Sequence, residues 1–179
     1  MRKAFTLIEV NLAIMVMAGG ILAILGLYSL GYRENRQSRE DVAASAYADA
    51  VMSPLVMACS ATNVKWTVFK ELPSYPSEEG WTEYFNQTTG NVESNPESRA
   101  KSVFASVLSK LQGGAKGSLD VSTQWPSTAS GGLKAGLVVL HEKESAVVRI
   151  GFRATRHASE LLSMPLFYTE VRFQGIADE

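Results

Sequence analysis

Among the residues able to do chemistry, Glu9 occupies the least ordinary position. No charged side chain occurs from Val10 to Tyr32, so this carboxylate stands at the start of a long apolar run. A carboxylate in an apolar environment is costly unless a partner compensates its charge. The neighbouring sequence offers no such partner, and this makes Glu9 the first candidate for a functional residue.

The other reactive side chains form no recognisable catalytic or metal-binding pattern. His141 and His157 are the only histidines, and neither has the spacing of a metal ligand pair. There is no nucleophile elbow, phosphate-binding loop or dinucleotide fingerprint. Asp178 and Glu179 are not part of a cluster of oxygen ligands of the kind calcium requires. The sequence therefore predicts no catalytic residue, no metal site, no cofactor and no enzyme.

The single cysteine and the overall charge further limit the classes of protein to which this chain can belong. Cys59 is the only cysteine, so no disulfide can form within the chain, and we expect a small buried apolar residue. The formal net charge is -1, which gives no electrostatic case for nucleic-acid binding.

The apolar run is long enough to cross a membrane. At ~1.5 Å per residue, Val10 to Tyr32 extends for about 34 Å, against ~30 Å for a bilayer core. Secretory signals have shorter apolar cores of about 7–15 residues. Arg2 and Lys3 precede the run, so the start of the chain is expected in the cytoplasm and the bulk of it outside. A plain single-pass anchor is the alternative to a more specialised segment.

The stretch Lys3-Ala4-Phe5-Thr6-Leu7-Ile8-Glu9-Val10, joined to this run, resembles the class III leader of type IV prepilins and type II secretion pseudopilins. The resemblance covers roughly residues 1–55. It implies that a prepilin peptidase cuts between Ala4 and Phe5, that the new amino group of Phe5 is N-methylated, and that Glu9 acts in filament assembly. Ala4 is a departure, since the family has Gly there, although Ala is also small.

The same resemblance implies an organisation and a set of partners. Residues 1–4 would be the leader, 5–32 a transmembrane helix, and 33–179 a periplasmic pilin-like domain whose residues 33–59 are the soluble half of the helix. Partners would be other pilin or pseudopilin subunits, the peptidase, an inner-membrane assembly platform and membrane lipid. The subunit would wait in the inner membrane and then join a periplasmic or extracellular filament.

The residues themselves predict one helix that continues beyond the membrane. No Gly or Pro occurs from Arg33 to Ser53, and an apolar stripe with 3- and 4-residue spacing follows, with Pro54 as a possible kink or end and Cys59 as the furthest limit. The stripe comprises Ala43, Tyr47, Ala50, Val51 and Leu55. Within the membrane half, Gly19, Gly20, Ala23 and Gly26 would allow flexibility or close helix packing, or reflect ordinary membrane-helix composition.

The remaining chain predicts an α+β domain. We expect a first strand at Val64 to Phe69, a helix from about Asn95 to Gly113, and a short strand at Leu119–Val121. A β-meander should follow, with strands at 133–141, 146–154 and 166–173. The aromatic residues between Leu72 and Asn95 either pack on this domain or form a contact surface. Together with the resemblance, this order predicts a pilin-like fold in which the long N-terminal helix packs on an antiparallel sheet.

The expected function is structural, as a minor pilin or pseudopilin of a type IV pilus-like or type II secretion filament. The alternative from another class is a membrane-anchored periplasmic binding or sensor domain that does not polymerise. Glu9 and a mature N-terminal Phe5 distinguish these two functions, because a filament subunit uses both and a membrane anchor needs neither.

Overall fold

The computed structural model describes residues 6–74, 84–86, 88, 96–142 and 145–176. Ala4 and Phe5, the predicted cleavage site, lie outside the described residues. The chain divides into two compact units, an N-terminal unit (Met1–Val42) and a C-terminal unit (Ala43–Glu179). Each unit is described by itself.

The N-terminal unit consists of the first part of helix α1, which spans Leu7–Cys59. Every described side chain from Thr6 to Arg39 is exposed, although most of those before Arg33 are apolar. Among the described residues, α1 is the one helix long and apolar enough to cross a membrane. A helix suits that environment because it satisfies its backbone hydrogen bonds internally.

In the C-terminal unit, the last turns of α1 contribute one face to the core. Pro54 lies inside the helix, which continues to Cys59, the predicted limit. The predicted stripe is confirmed, with Tyr47, Val51 and Leu55 fully buried, whereas Ala43 and Ala50 are half-buried. Cys59 is buried, as predicted.

The predicted first strand at Val64 to Phe69 is wrong. Helix α2 occupies Trp66–Lys70, and only Val64 and Lys65 remain extended, in isolated bridges to Ala115 and Ile176. The helical turn brings the rings of Trp66 and Phe69 to a stacked separation of 5.2 Å, and Phe69 becomes fully buried. This aromatic packing outweighs the β-propensity of the segment, which is a weak and context-dependent preference.

Helix α3 spans Pro96–Gly113 and confirms the predicted second helix within the described residues. Its buried face includes Phe104, Val107, Leu108 and Leu111, while Val103 is half-buried. The strand predicted at Leu119–Val121 is wrong, because these residues join no ladder. Leu119 is nevertheless buried in the core, so its apolar character reflects the packing of a loop rather than a strand. A 3₁₀ turn follows at Ser127–Ser130.

The predicted meander is confirmed as a three-stranded antiparallel sheet in the order β1-β2-β3. The strands are β1 (Lys134–His141), β2 (Val147–Thr155) and β3 (Phe167–Arg172), with a 3₁₀ turn, Ala158–Ser163, between the last two. Val148, Ile150 and Phe152 are all fully buried, so the period of two places one face on the core. The described residues therefore have an α+β architecture.

The opposite face of the sheet is also partly covered. Phe85 is fully buried against Val138 and Leu140, with Tyr84 packed beside them. Of the aromatic residues predicted between Leu72 and Asn95, these two therefore pack on their own unit, while Tyr75 and Trp81 lie outside the described residues. Arg153 is buried on this face as well, which simple alternation did not predict.

Candidate functional site

Glu9 has a partner within its own chain, contrary to the expectation from the sequence. Its Oε2 accepts hydrogen bonds from the backbone nitrogen of Thr6 at 2.9 Å and from the Thr6 hydroxyl at 3.0 Å. The backbone nitrogen of Glu9 donates back to Thr6 Oγ1 at 3.4 Å. This reciprocal arrangement is a capping box, which satisfies backbone N–H groups that the first helical turn leaves free.

The capping box orients the carboxylate toward the beginning of α1. Thr6 precedes the first helical residue, Leu7, and Glu9 lies in the first turn, where negative charge is favoured by the helix dipole. The Thr6 N–H that donates to Glu9 belongs to the peptide bond between Phe5 and Thr6. The sequence signal for this contact is the Thr-x-x-Glu spacing, which the distribution of charge alone does not reveal.

The small residues of the N-terminal unit have open space around them. A Cβ added at Gly19, Gly20 or Gly26 would meet no atom within 4 Å outside the local helix. Gly19 and Ala23 are four residues apart and therefore lie on one helix face. A packing role for these residues requires a second molecule, and it stays a prediction.

Burial raises the pKa of two groups in the C-terminal unit, the Cys59 thiol and the Tyr47 hydroxyl. Burial raises the pKa of the Cys59 thiol to about 12, which leaves it protonated at neutral pH. Burial likewise raises the pKa of Tyr47 to about 12, against the opposing effect of a hydrogen bond from Trp125. Trp125 Nε1 donates this bond to the Tyr47 hydroxyl at 3.0 Å. Both groups belong to the hydrophobic core.

The two histidines do not meet. His141 pairs with Val148 at one end of the β1–β2 ladder, whereas His157 follows Thr155, which pairs with Lys134 at the other end. At ~3.4 Å per residue, the seven steps between these ends amount to about 24 Å. Within the part of the chain that the structure describes, no three His, Cys, Asp or Glu side chains form a group able to hold a metal ion.

Arg153 is a buried cation that serves the fold of this unit. Its Nη1 donates to the Leu162 carbonyl at 2.7 Å and to Asn86 Oδ1 at 3.0 Å, and its guanidinium lies 5.0 Å from the centre of the Phe85 ring. Burial lowers the pKa of Arg153. These contacts tie the segment around Phe85 and the turn before β3 to the outer face of the sheet.

A groove of about 620 Å³ lies between β3 and the part of α1 that belongs to the same unit. Its walls combine apolar side chains such as Met52 and Phe167 with polar ones such as Asp49 and Ser53. Tyr168 contributes the opposite wall, and its hydroxyl makes a short hydrogen bond to Glu170. The residues that line the groove include no histidine or cysteine.

Comparisons of this chain with protein-family models, with curated proteins and with solved structures found no match.

Proposed function

We propose that this chain is a structural subunit, a minor pilin or pseudopilin, of a type IV pilus-like or type II secretion filament. A prepilin peptidase would remove residues 1–4 and leave Phe5 as an N-methylated terminus. The sequence from Phe5 to Val10, with its resemblance to the prepilin leader, supports the processing step. The subunit would be held in the inner membrane by residues 5–32, with its start in the cytoplasm and residues 33–179 in the periplasm.

The observation that carries the proposal is the contrast within α1. Leu12, Ile14 and Leu25 are 66%, 60% and 58% exposed, whereas Tyr47, Val51 and Leu55 are 0% exposed. An apolar helix surface without cover in its own chain must be covered by lipid or by other protein. A subunit that moves from a bilayer into a bundle of like helices meets both conditions with the same surface.

The geometry at Glu9 adds a means of assembly to this contrast. Glu9 Oε2 is occupied by Thr6, whereas Oε1 makes no hydrogen bond within the described residues. Cleavage after Ala4 would create a positive amino group on Phe5. Glu9 Oε1 of one subunit would accept a hydrogen bond from that group on the next, and a paired charge in a low-dielectric setting is far less costly than an isolated one. The contact would fix the axial position of adjacent helices.

A second function, a membrane-anchored binding or sensor domain, is favoured by the groove beside β3. Its volume falls within the ~300–1,000 Å³ typical of ligand sites. Such a domain would use α1 only as an anchor and would need neither Glu9 nor a free Phe5.

The deciding experiment compares Glu9→Ala with Glu34→Ala, a matched loss of carboxylate on the exposed surface of the same helix. Mass spectrometry of the wild-type N-terminal peptide should find N-methylated Phe5 in cells with an active prepilin peptidase. Glu9→Ala should keep cleavage and membrane insertion but lose most incorporation into sheared filaments, while Glu34→Ala should assemble normally.

Two results would reject the proposal. Chains that all retain Met1 to Ala4 would exclude processing. A wild-type ratio of filament to membrane pool for Glu9→Ala would indicate instead that the carboxylate extends to the headgroups and has no role in assembly.

A further inference from the structure

Two tyrosines and three arginines share one side of α1 where the apolar run ends. With about 100° of rotation per residue, they fall within an arc of roughly 140°. All five side chains are exposed. We call this surface the Tyr-Arg face, and it consists of Tyr28, Tyr32, Arg33, Arg36 and Arg39.

Acidic residues in the same segment lie mainly elsewhere on the helix. Glu34 and Asp41 are within about 20° of each other, on the side away from Arg36 and Arg39. Only Glu40 reaches the Tyr-Arg face, where it accepts a hydrogen bond from Arg36 Nε at 3.1 Å. That Arg36 side chain is 62% exposed, and exposed ion pairs of this kind are worth little, so it is readily exchanged. The segment is therefore neutral overall but basic on one side.

The Tyr-Arg face lies at the depth of one bilayer surface. The run from Val10 to Tyr32 covers about 34 Å, slightly more than the ~30 Å hydrocarbon core, and each headgroup layer adds roughly 5–8 Å. Arg36 is about 4.5 Å beyond Arg33 along the helix axis, near the outer edge of that layer, and Arg39 is about 9 Å beyond, so its side chain has to extend back toward the membrane, the direction in which helical side chains tilt. Tyrosine is enriched at this depth, and arginine side chains extend toward the headgroups.

We propose that the Tyr-Arg face binds the phosphodiester groups of anionic phospholipids in the leaflet where the apolar run ends. Guanidinium groups bind phosphate oxygens through paired hydrogen bonds, and Arg33 and Arg39 form no ion pair within the described residues. The contact would set the depth and rotation of α1 in the membrane before assembly. This inference rests on the membrane insertion that is part of the proposed function.

The test uses the full-length chain, reconstituted at high dilution in phosphatidylcholine vesicles. A trace of spin-labelled phosphatidylglycerol or spin-labelled phosphatidylcholine reports lipid association by electron paramagnetic resonance. Phosphatidylglycerol carries a net negative charge and phosphatidylcholine does not, so three guanidinium groups at the contact should favour the former. The triple variant Arg33→Gln, Arg36→Gln and Arg39→Gln should therefore lower the preference for phosphatidylglycerol several-fold. Arg2 and Lys3 remain in both proteins, so any contribution from the leader cancels.

Two matched variants make the result specific. Replacing all three arginines by Lys keeps the charge and should retain most of the preference, although Lys cannot bind bidentately. Replacing Arg99, Lys101 and Lys116 by Gln removes the same charge from exposed positions of the C-terminal unit and should change nothing. Gln tolerates helix well and all these sites are exposed, so circular dichroism should show unchanged folding.

An equal preference for phosphatidylglycerol in the wild type and the Arg-to-Gln triple variant would overturn the inference, as would an equal loss in the C-terminal control. If the Arg-to-Gln triple variant keeps its lipid preference but fails to enter filaments, the face instead binds carboxylates of a second copy, and the lipid proposal is wrong. The vesicle measurement requires neither cleavage nor assembly. A failure of the filament proposal would therefore leave the lipid result unaffected, and the two can be judged separately.

Discussion

The two parts of α1 differ in the distribution of their apolar residues around the helix. In the N-terminal unit these residues occur on every side and are exposed, with Leu22 at 69% and Ile24 at 67%. In the C-terminal unit the buried ones form a stripe that includes Tyr47, Val51 and Leu55, and Met57, away from that stripe, is 54% exposed. An all-round apolar surface suits a uniform apolar solvent, whereas a stripe suits a helix with a core on one side and water on the other. One helix therefore contains sequence for two different environments.

The glycines show the same difference. Gly19, Gly20 and Gly26 have free space where a Cβ would be, whereas a Cβ at Gly114 would collide with the side chain of Val68. At Gly175 it would overlap the carbonyl oxygen of Val64. Close approach within the chain explains Gly114 and Gly175 of the C-terminal unit, and it does not explain Gly19, Gly20 or Gly26 of the N-terminal unit.

The largest expected effect is a loss of stability on truncation of a tyrosine, compared between one tyrosine in each unit. Tyr47→Ala should destabilise the C-terminal unit by about 3–5 kcal/mol, the usual cost of truncating a large aromatic side chain in a core. Tyr28→Ala changes a side chain that is 74% exposed and should alter stability by less than about 0.5 kcal/mol. Urea unfolding of the full chain in detergent, followed by tryptophan fluorescence, measures both.

Equal unfolding midpoints for Tyr47→Ala and the wild type would show that the stripe does not form the core. A comparable loss in Tyr28→Ala would show that the N-terminal unit contributes to the same cooperative structure, and the comparison between the two regions would then fail.

The second largest effect is expected for a substitution of glycine, with one glycine from each unit compared. Gly175→Ala should cost about 1–3 kcal/mol, because the added methyl group displaces backbone rather than a flexible side chain. The displaced segment carries the hydrogen bond from the Ile176 nitrogen to the Val64 carbonyl at 2.8 Å. Gly20→Ala should leave unfolding of the C-terminal unit unchanged. An unchanged midpoint for Gly175→Ala would mean that the 173–176 segment adjusts freely.

Segments with a regular hydrophobic period were predictable from the sequence, and segments identified by residue type alone were not. The stripe on α1, the buried face of α3 and the alternation in β2 each extend over several repeats, so one exception does not obscure the pattern. The strand at Val64 to Phe69 was predicted from its β-branched and aromatic residues, a preference that tertiary contacts can override. The helix that this segment forms is selected by contacts with Phe173, whose ring centre is 4.6 Å from that of Phe69 and which lies more than a hundred residues later.

The residues of the candidate sites also include some that the sequence predicts and some that it does not. Glu9 is conspicuous in the sequence as a charge beside an apolar run, and the spacing of Thr6 and Glu9 is that of a capping box, so local sequence identifies both partners. Arg153 was not predictable, since its burial depends on Asn86 and Leu162, which the alternating pattern of β2 does not involve. Local spacing identifies caps and faces, while buried polar contacts between distant segments require the tertiary structure.

The smallest predicted effect is the coupling free energy between Tyr47 and Trp125, at the point where the buried part of α1 begins. Tyr47 is the first fully buried residue of the helix, and it meets Trp125 both through the 3.0 Å hydrogen bond and through rings 6.0 Å apart at 88°. Tyr47→Phe removes only the hydroxyl group, and Trp125→Phe removes the donor while keeping an aromatic ring. Each single variant should destabilise the chain, the tryptophan variant more because it also loses ring area.

A double-mutant cycle subtracts those separate losses and isolates the coupling free energy between the two side chains. A hydrogen bond between neutral, partly buried groups predicts about 0.5–1.5 kcal/mol. Urea unfolding followed by circular dichroism gives the four free energies without depending on the fluorescence of Trp125. A coupling near zero would mean that water replaces the bond at no cost, and the loop carrying Trp125 would then contribute packing alone to the place where the helix becomes buried.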